Sequence, residues 1–290
     1  MKIYLDGQFV DEENAKVSVF DHGLLYGDGV FEGIRIYNGR VFRLKEHIDR
    51  LFEGAHTICL KINETKEEMI KVVTEACRMN NLKDGYIRLV VSRGKGDLGL
   101  DPKKCPKTTT ICIAAGISLY PAELYEKGLS VATVATRRNA PEACNPRVKS
   151  LNYLNNIYAK IEANMMGVGE AIFLNEQGYV VEATADNIFV VKNGVLYTPP
   201  VHLGGLNGIT RITVMELARK RGIEVKEALM NRMDLYTADE FFLTGTAAEI
   251  IPVTLYDNRQ IADGKPGEIT KQLIADYKAY TNVDGVVVEY

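Results

Sequence analysis

The chain has 290 residues, 46% of them hydrophobic and 25% charged, which suffices for one large domain or two ordinary ones with a sizeable core. Its 38 acidic and 35 basic residues are spread along the whole length and leave a formal charge of -3, so no basic face marks a nucleic-acid or lipid binder. Five cysteines, at 59, 77, 105, 112 and 144, are odd in number and lack C-x-x-C spacing, which predicts free thiols in a reducing cytoplasm, not a disulfide framework or a zinc site.

The opening MKIYLDGQFV does not have the order of a signal peptide, and apolar runs such as 111–117 fall far short of the roughly 20 residues of a membrane span. VFEGIRIY, Asn38-Gly39 and VFRL predict a β-hairpin. From Leu44 the apolar residues Ile48, Leu51, Phe52, Ala55 and Ile58 recur at helical spacing, and Thr65 with Glu68 predicts a capping box for a second helix reaching about Met79. Strands near Tyr86–Ser92 and Thr108–Ala115 complete an α+β unit, assigned to residues 1–115. The stretch 116–127, with Pro121, reads as a linker to a second domain over 128–290. That domain is expected to hold a helix from about Leu151 to Met166, strands in AIFLN, YVVEA and DNIFVVK, and an Asn193-Gly194 turn. A helix after Gly208, strands around FFLTG and IIPVTLY, and a helix over Glu268–Tyr280 complete it.

The four histidines form no H-E-x-x-H, and neither G-x-S-x-G nor a strand-borne G-x-G-x-x-G is present, so zinc protease, serine hydrolase and Rossmann readings are weak. What remains surrounds one lysine. Lys149, in NPRVKSLNYLNN, sits between a strand-like run and a helix, where a side chain can project into a cleft, although alone it reads as a solvated surface lysine. GLNGITR sets Gly208, backbone amides and the Thr210 hydroxyl at a helix start, which suits an anion or simply caps a helix. LTGTAAE is a tight turn able to bring amides near a carboxylate or phosphate, or a plain strand connection. Glu182 could point inward, yet most glutamates near strand ends are solvated.

Six blocks decide among these readings: YGDGVFEGIRIYNGRVFRLKEHIDRL, GYIRLVVSRGKGDLGLDP, VKSLNYLNN, YVVEATADNIFV, GITR and FLTGTAAEIIPV. In order and spacing the chain resembles, nearly end to end, the class IV aminotransferases of pyridoxal phosphate fold type IV, and most closely the branched-chain amino acid aminotransferases. The resemblance implies two α/β-type domains with the cofactor in the cleft between them, and a homo-oligomer that is at least a dimer. It implies that Lys149 forms the Schiff base, Tyr153, four residues on, meets the cofactor's phenolic oxygen, and Glu182 keeps the pyridine nitrogen protonated. The phosphate would be held by Arg50, by Ile209 and Thr210, and by Thr246. Substrate would place its α-carboxylate on the Thr246-Ala247 turn and its side chain against Phe31, Gly33, Tyr26 and Tyr86. Arg88 would meet the distal carboxylate of glutamate. Tyr26 and the 94–101 loop would come from the neighbouring subunit, with Leu100 a wall of the pocket and Tyr120 a weaker candidate. The implied reaction moves the amino group of L-leucine, L-isoleucine or L-valine to 2-oxoglutarate in two half-reactions with a ping-pong rate law.

Three departures qualify the match. Ala183 replaces a glycine frequent after the glutamate, and Ile212 an acidic residue frequent after GITR. Arg93 stands where the sister D-amino acid aminotransferases place a carboxylate-trapping arginine; on a regular strand it cannot share a face with Arg88, and Arg88 is favoured. The competing readings are a D-amino acid aminotransferase, an aminodeoxychorismate lyase of the same fold, and a non-catalytic binding protein.

Overall fold

The chain opens with the hairpin β1 (Lys2–Leu5) and β2 (Gln8–Asp11), a short helix α1 (His22–Tyr26) and the long strand β3 (Gly29–Tyr37) in a computed structural model that describes residues 1–117 and 120–290. Asn38 and Gly39 both take positive φ, 48° and 74°, and turn β3 back into β4 (Arg40–Val41), the predicted hairpin. Helices α2 (Leu44–Thr57) and α3 (Lys66–Met79) follow, the second begun by the expected reciprocal Thr65/Glu68 box. Strands β5 (Gly85–Ser92) and β6 (Thr109–Ala115) complete the run.

These strands form a seven-stranded antiparallel sheet in the order Val286–Val287, β4, β3, β5, β6, β1, β2. The period-2 alternation of β3 and β5 sends Val30, Ile34, Ile36, Ile87, Leu89 and Val91 into a core shared with Leu44, Ile48 and Leu51 of α2 and Met69 and Val73 of α3. Each such side chain contributes about 1.5–3 kcal/mol of burial. The same alternation leaves Phe31, Gly33, Tyr86 and Arg88 together on the opposite face, with Gly33 paired to Arg88 and Phe31 to Val90.

The chain divides into two compact units, and the first comprises Met1–Ile117 together with Val148–Asn152 and Thr281–Tyr290. The two added segments, expected within 128–290, belong with the first unit because their backbones bond to its sheet. Val286 pairs with Val41, and residues 149–151 bond to β3. Of the expected linker 116–127, residues 118 and 119 lie outside the described residues, and Ala122–Lys127 is a helix, α4.

The second unit comprises Ser118–Arg147 and Tyr153–Tyr280. After α4 come β7 (Leu129–Thr133), α5 (Leu154–Met166), β8 (Glu170–Leu174), β9 (Val180–Ala183), β10 (Asn187–Lys192), β11 (Val195–Thr198) and α6 (Ile209–Lys220). Then follow β12 (Val225–Glu227), α7 (Arg232–Tyr236), β13 (Glu240–Gly245), β14 (Glu249–Tyr256), β15 (Arg259–Gln260) and α8 (Glu268–Tyr280). The mixed sheet runs β12-β11-β10-β13-β14-β7-β8-β9, with β15 on β14; only β11/β12, β14/β7 and β7/β8 are parallel. The parallel β7–β8 pair needs a long crossover, and α5 lies within it. Among the described residues no helix is long and apolar enough to cross a membrane.

Candidate active site

Lys149 is not part of α5. The Phe31 amide donates to Lys149 O at 2.9 Å and the Leu151 amide to Gly29 O at 3.0 Å, so residues 149–151 are drawn out along β3, and the helix starts only at Leu154. The expected helical-face relation between Lys149 and Tyr153 therefore does not apply; Tyr153 is the residue capping α5. Lys149 Nζ stands 4.5 Å from the centroid of the Phe31 ring, and the Arg88 guanidinium stands 4.6 Å from the same centroid and 5.5 Å from that of Tyr86. A Cβ on Gly33 would lie 1.8 Å from the Tyr86 hydroxyl, so the bare backbone of Gly33 makes room for that phenol. Gly33→Ala is expected to displace Tyr86 and destabilise the fold by about 1–3 kcal/mol of overpacking, which denaturant unfolding will check.

On the core side of β3, Glu32 is wholly buried. It accepts Arg50 Nε at 2.7 Å and Nη2 at 2.8 Å, and His47 Nδ1 at 2.8 Å. Burial alone would raise the Glu32 carboxyl, but Arg50 and then His47 outweigh it and hold it well below the ordinary carboxylate range. Burial pushes His47 below its usual 6.5 despite Glu32, and the charges of Arg50 and Lys149 push the same way. Arg50, expected at the phosphate, thus spends one edge of its guanidinium on Glu32, which fixes its plane. A His47 that stays neutral in the fold but protonates when unfolded makes stability fall as pH drops through 6.5, and the Glu32 contribution is lost at still lower pH. A melting temperature flat from about pH 7.5 to 5 would contradict a neutral His47.

Arg93 is consumed elsewhere. Its Nε and Nη2 bond both oxygens of Asp28, at 2.8 and 2.9 Å, and Nη1 and Nη2 donate to the carbonyls of Cys59 and Ile58. Tyr26 ends α1 and donates to Leu98 O, and His22 Nε2 bonds Asp97 O, so α1 and the 94–101 loop hold one another. Leu100 is 77% exposed there.

In the second unit, Glu182 on β9 is only 5% exposed. Its Oε1 accepts Arg138 Nε at 2.9 Å and Nη2 at 2.8 Å, and its Oε2 accepts the Leu206 amide at 2.8 Å. Arg138 Nη1 donates to Asn155 and Asn156 Oδ1, and Asn156 Nδ2 in turn donates to Thr184 O. Arg138 is absent from the sequence expectations because Arg137-Arg138 belongs to no motif; its signal is the amide bond to Leu174 O that lays it beside β8. Asn187, in the ADN of VEATADN, donates to Leu206 O at 2.9 Å and approaches Glu182 Oε2 at 3.4 Å. Ala183 is buried in the core of this unit, and Ile212 is half-buried on α6.

Gly208 caps α6 without a side-chain bond, which leaves the first-turn amides from Ile209 and Thr210 onward without helical partners. A Cβ on Gly208 would meet Asn187 Oδ1 at 2.1 Å, and one on Gly245 would meet Asp186 Oδ1 at 1.9 Å, so both turns close on neighbours that tolerate only glycine. Arg211 of GITR is structural, bonded to Glu227, Asn207 Oδ1 and Pro199 O. Thr246 and Ala247, both half-buried, form the turn from β13 to β14, and the neighbouring Thr244 Oγ1 is buried with no hydrogen-bond partner. Tyr120 packs against this unit's core, where burial raises its phenol.

The donor set fits pyridoxal phosphate. Lys149 is an amine laid on an aromatic ring, Glu182 is a buried carboxylate bonded by an arginine, α6 offers uncapped amides, and Thr244 an orphaned hydroxyl.

The family model for amino-transferase class IV matches residues 29–256. A Methanocaldococcus jannaschii protein provisionally named branched-chain-amino-acid aminotransferase is 59% identical over 288 residues, covering 99% of each chain. The T. thermophilus branched-chain amino acid aminotransferase with pyridoxamine 5'-phosphate superposes with a TM-score of 0.93 at 36% identity, covering 97% of this chain and 93% of that one. The branched-chain aminotransferase of Thermoproteus uzoniensis with norvaline gives 0.91 at 41% identity, covering 97% and 94%. Matched by that family model over most of its length and superposing on fold type IV enzymes, the chain belongs to the class IV aminotransferases and is a pyridoxal phosphate-dependent transaminase.

Proposed function

We propose that the chain transfers the amino group of L-leucine, L-isoleucine and L-valine to 2-oxoglutarate. The observation that carries this reading is the contrast between two arginines. Arg93 is spent on Asp28 and two carbonyls, whereas Arg88 lies over the Phe31 and Tyr86 rings and, among the described residues, has no carboxylate partner. A face of aromatic carbon with one cation accepts an aliphatic chain in one half-reaction and the distal carboxylate of glutamate in the other. The D-amino acid reading, which needs Arg93, and the lyase reading lose ground accordingly.

Pyridoxal phosphate supplies an aldehyde that takes up an amino group and a ring that absorbs the electrons of the Cα–H bond. Lys149 Nζ is the anchoring amine and the group that moves the Cα proton. Glu182, bonded by Arg138, would keep the pyridine nitrogen protonated, and Tyr153 would donate to the phenolic oxygen. Arg50, the Ile209 and Thr210 amides, the Thr210 hydroxyl and Thr246 bind the phosphate. The Thr246-Ala247 turn receives the α-carboxylate, and Phe31, Gly33 and Tyr86 receive the side chain.

The working form is at least a homodimer in which Tyr26 and Leu100 wall the partner's pocket. Two exposed apolar surfaces support this: Val19, Phe20, Leu24, Leu98 and Leu100 in the first unit, and the stripe Leu154, Ile157, Tyr158, Ile161 and Met165 along α5 in the second. All five cysteines are free, in keeping with a cytoplasmic enzyme. A transamination panel over L-leucine, L-isoleucine, L-valine, D-alanine and both 1-phenylethylamine enantiomers tests the assignment. The branched-chain L-amino acids should lead with parallel double-reciprocal lines, and turnover restricted to D-alanine would overturn it.

A further inference from the structure

The second unit carries a cavity of about 580 Å³ whose wall includes Arg137, Arg232, Arg259, Tyr236, Leu174 and Met233 and no acidic side chain. That volume lies within the roughly 300–1,000 Å³ of small-molecule sites. Three guanidinia round one opening are unexpected on a chain whose formal charge is -3. Two of them, Arg137 and Arg232, have no carboxylate partner among the described residues, although their sequence neighbours are rich in acids. Those acids are committed elsewhere. Asp234 accepts the Asn231 amide at 2.8 Å in the cap of α7, and Asp257 accepts Thr133 N, Thr133 Oγ1 and the Tyr236 hydroxyl.

The third arginine is held in place. Arg259 Nη1 donates to Asp257 O at 2.9 Å, and its guanidinium stacks 4.4 Å from the centroid of the Tyr236 ring, itself fixed by its bond to Asp257. Both Arg232 and Arg259 are within electrostatic reach of the Tyr236 hydroxyl, which brings the two charges to one wall. Like charges so placed repel one another, a cost that a bound polyanion removes. Guanidinium forks match phosphate oxygens, and Leu174 and Met233 give an organic body an apolar surface to rest on.

We propose that this cavity binds a small phosphorylated metabolite that carries a diphosphate or two phosphate groups. Arg137 precedes the arginine that holds Glu182, so the bound anion sits one residue from the cofactor's anchoring network while touching none of its groups.

Calorimetric titration of inorganic pyrophosphate into the cofactor-loaded enzyme, at constant ionic strength, tests the site with the cofactor's own phosphate position filled. One saturable site per chain is expected, weakened about tenfold by Arg137→Ala and again by Arg232→Ala. It should be unchanged by Arg88→Ala, with leucine turnover and melting temperature retained in the two cavity variants. Absence of saturable binding, binding indifferent to Arg137 and Arg232, or tighter binding of tricarballylate than of pyrophosphate would each overturn the proposal. Loss of leucine turnover by the unmodified enzyme would instead count against the branched-chain assignment and leave this test intact.

Discussion

Lys149→Ala is expected to lose the yellow colour of the loaded enzyme and to reduce kcat by on the order of 10⁴-fold or more, because the proposed mechanism uses this one amine as anchor and as proton carrier. The variant should fold. Lys149 is half-buried, and what ties residues 149–151 to β3 is the backbone, through the Phe31 amide and Gly29 carbonyl, which alanine keeps. A melting temperature close to that of the parent with turnover gone would place the loss in chemistry. A yellow, active variant would remove Lys149 from the mechanism.

Arg138→Met is the second large effect, and it should strike stability and rate together. The arginine is 7% exposed and supplies both bonds to Glu182 Oε1, as well as those to Asn155 and Asn156. Methionine approximates the volume but leaves a carboxylate in the protein interior without its cation, a change that costs about 3–5 kcal/mol. Glu182 would also lose the two bonds that orient its carboxylate, and with them its proposed hold on the pyridine nitrogen, for a loss of about 100-fold or more in kcat. Denaturant unfolding and a comparison of kcat with KM separate the two consequences. An Arg138→Met enzyme with parental stability and kcat would show that Glu182 does not depend on this partner.

Much of this arrangement is legible in the sequence where the signal is local. The Asn38-Gly39 turn, the Thr65/Glu68 box and the apolar spacing of α2 each need only neighbours a few residues away, and they appear where expected. Lys149, Glu182 and GITR stand out only through resemblance, since each alone looks like an ordinary surface residue or helix start. What escapes depends on long-range pairing. The 149–151 segment leaves the helical register because amides and carbonyls of β3, far earlier in the chain, capture it. Glu32, within FEGIR, shares the strand parity of Val30, Ile34 and Ile36, but its charge argues against burial, and only the packing of α2 brings His47 and Arg50 onto it. Arg93 can be separated from Arg88 by strand alternation, but its partners, Asp28 and the carbonyls of Ile58 and Cys59, come from distant turns of the chain.

Reductive trapping tests directly whether Lys149 carries the cofactor. Borohydride treatment of the yellow enzyme, followed by proteolysis and mass spectrometric sequencing, should put a single phosphopyridoxyl group on Lys149 in the peptide containing VKSLNYLNN. A phosphopyridoxyl group on any other lysine, or none on the chain, would contradict this role of Lys149.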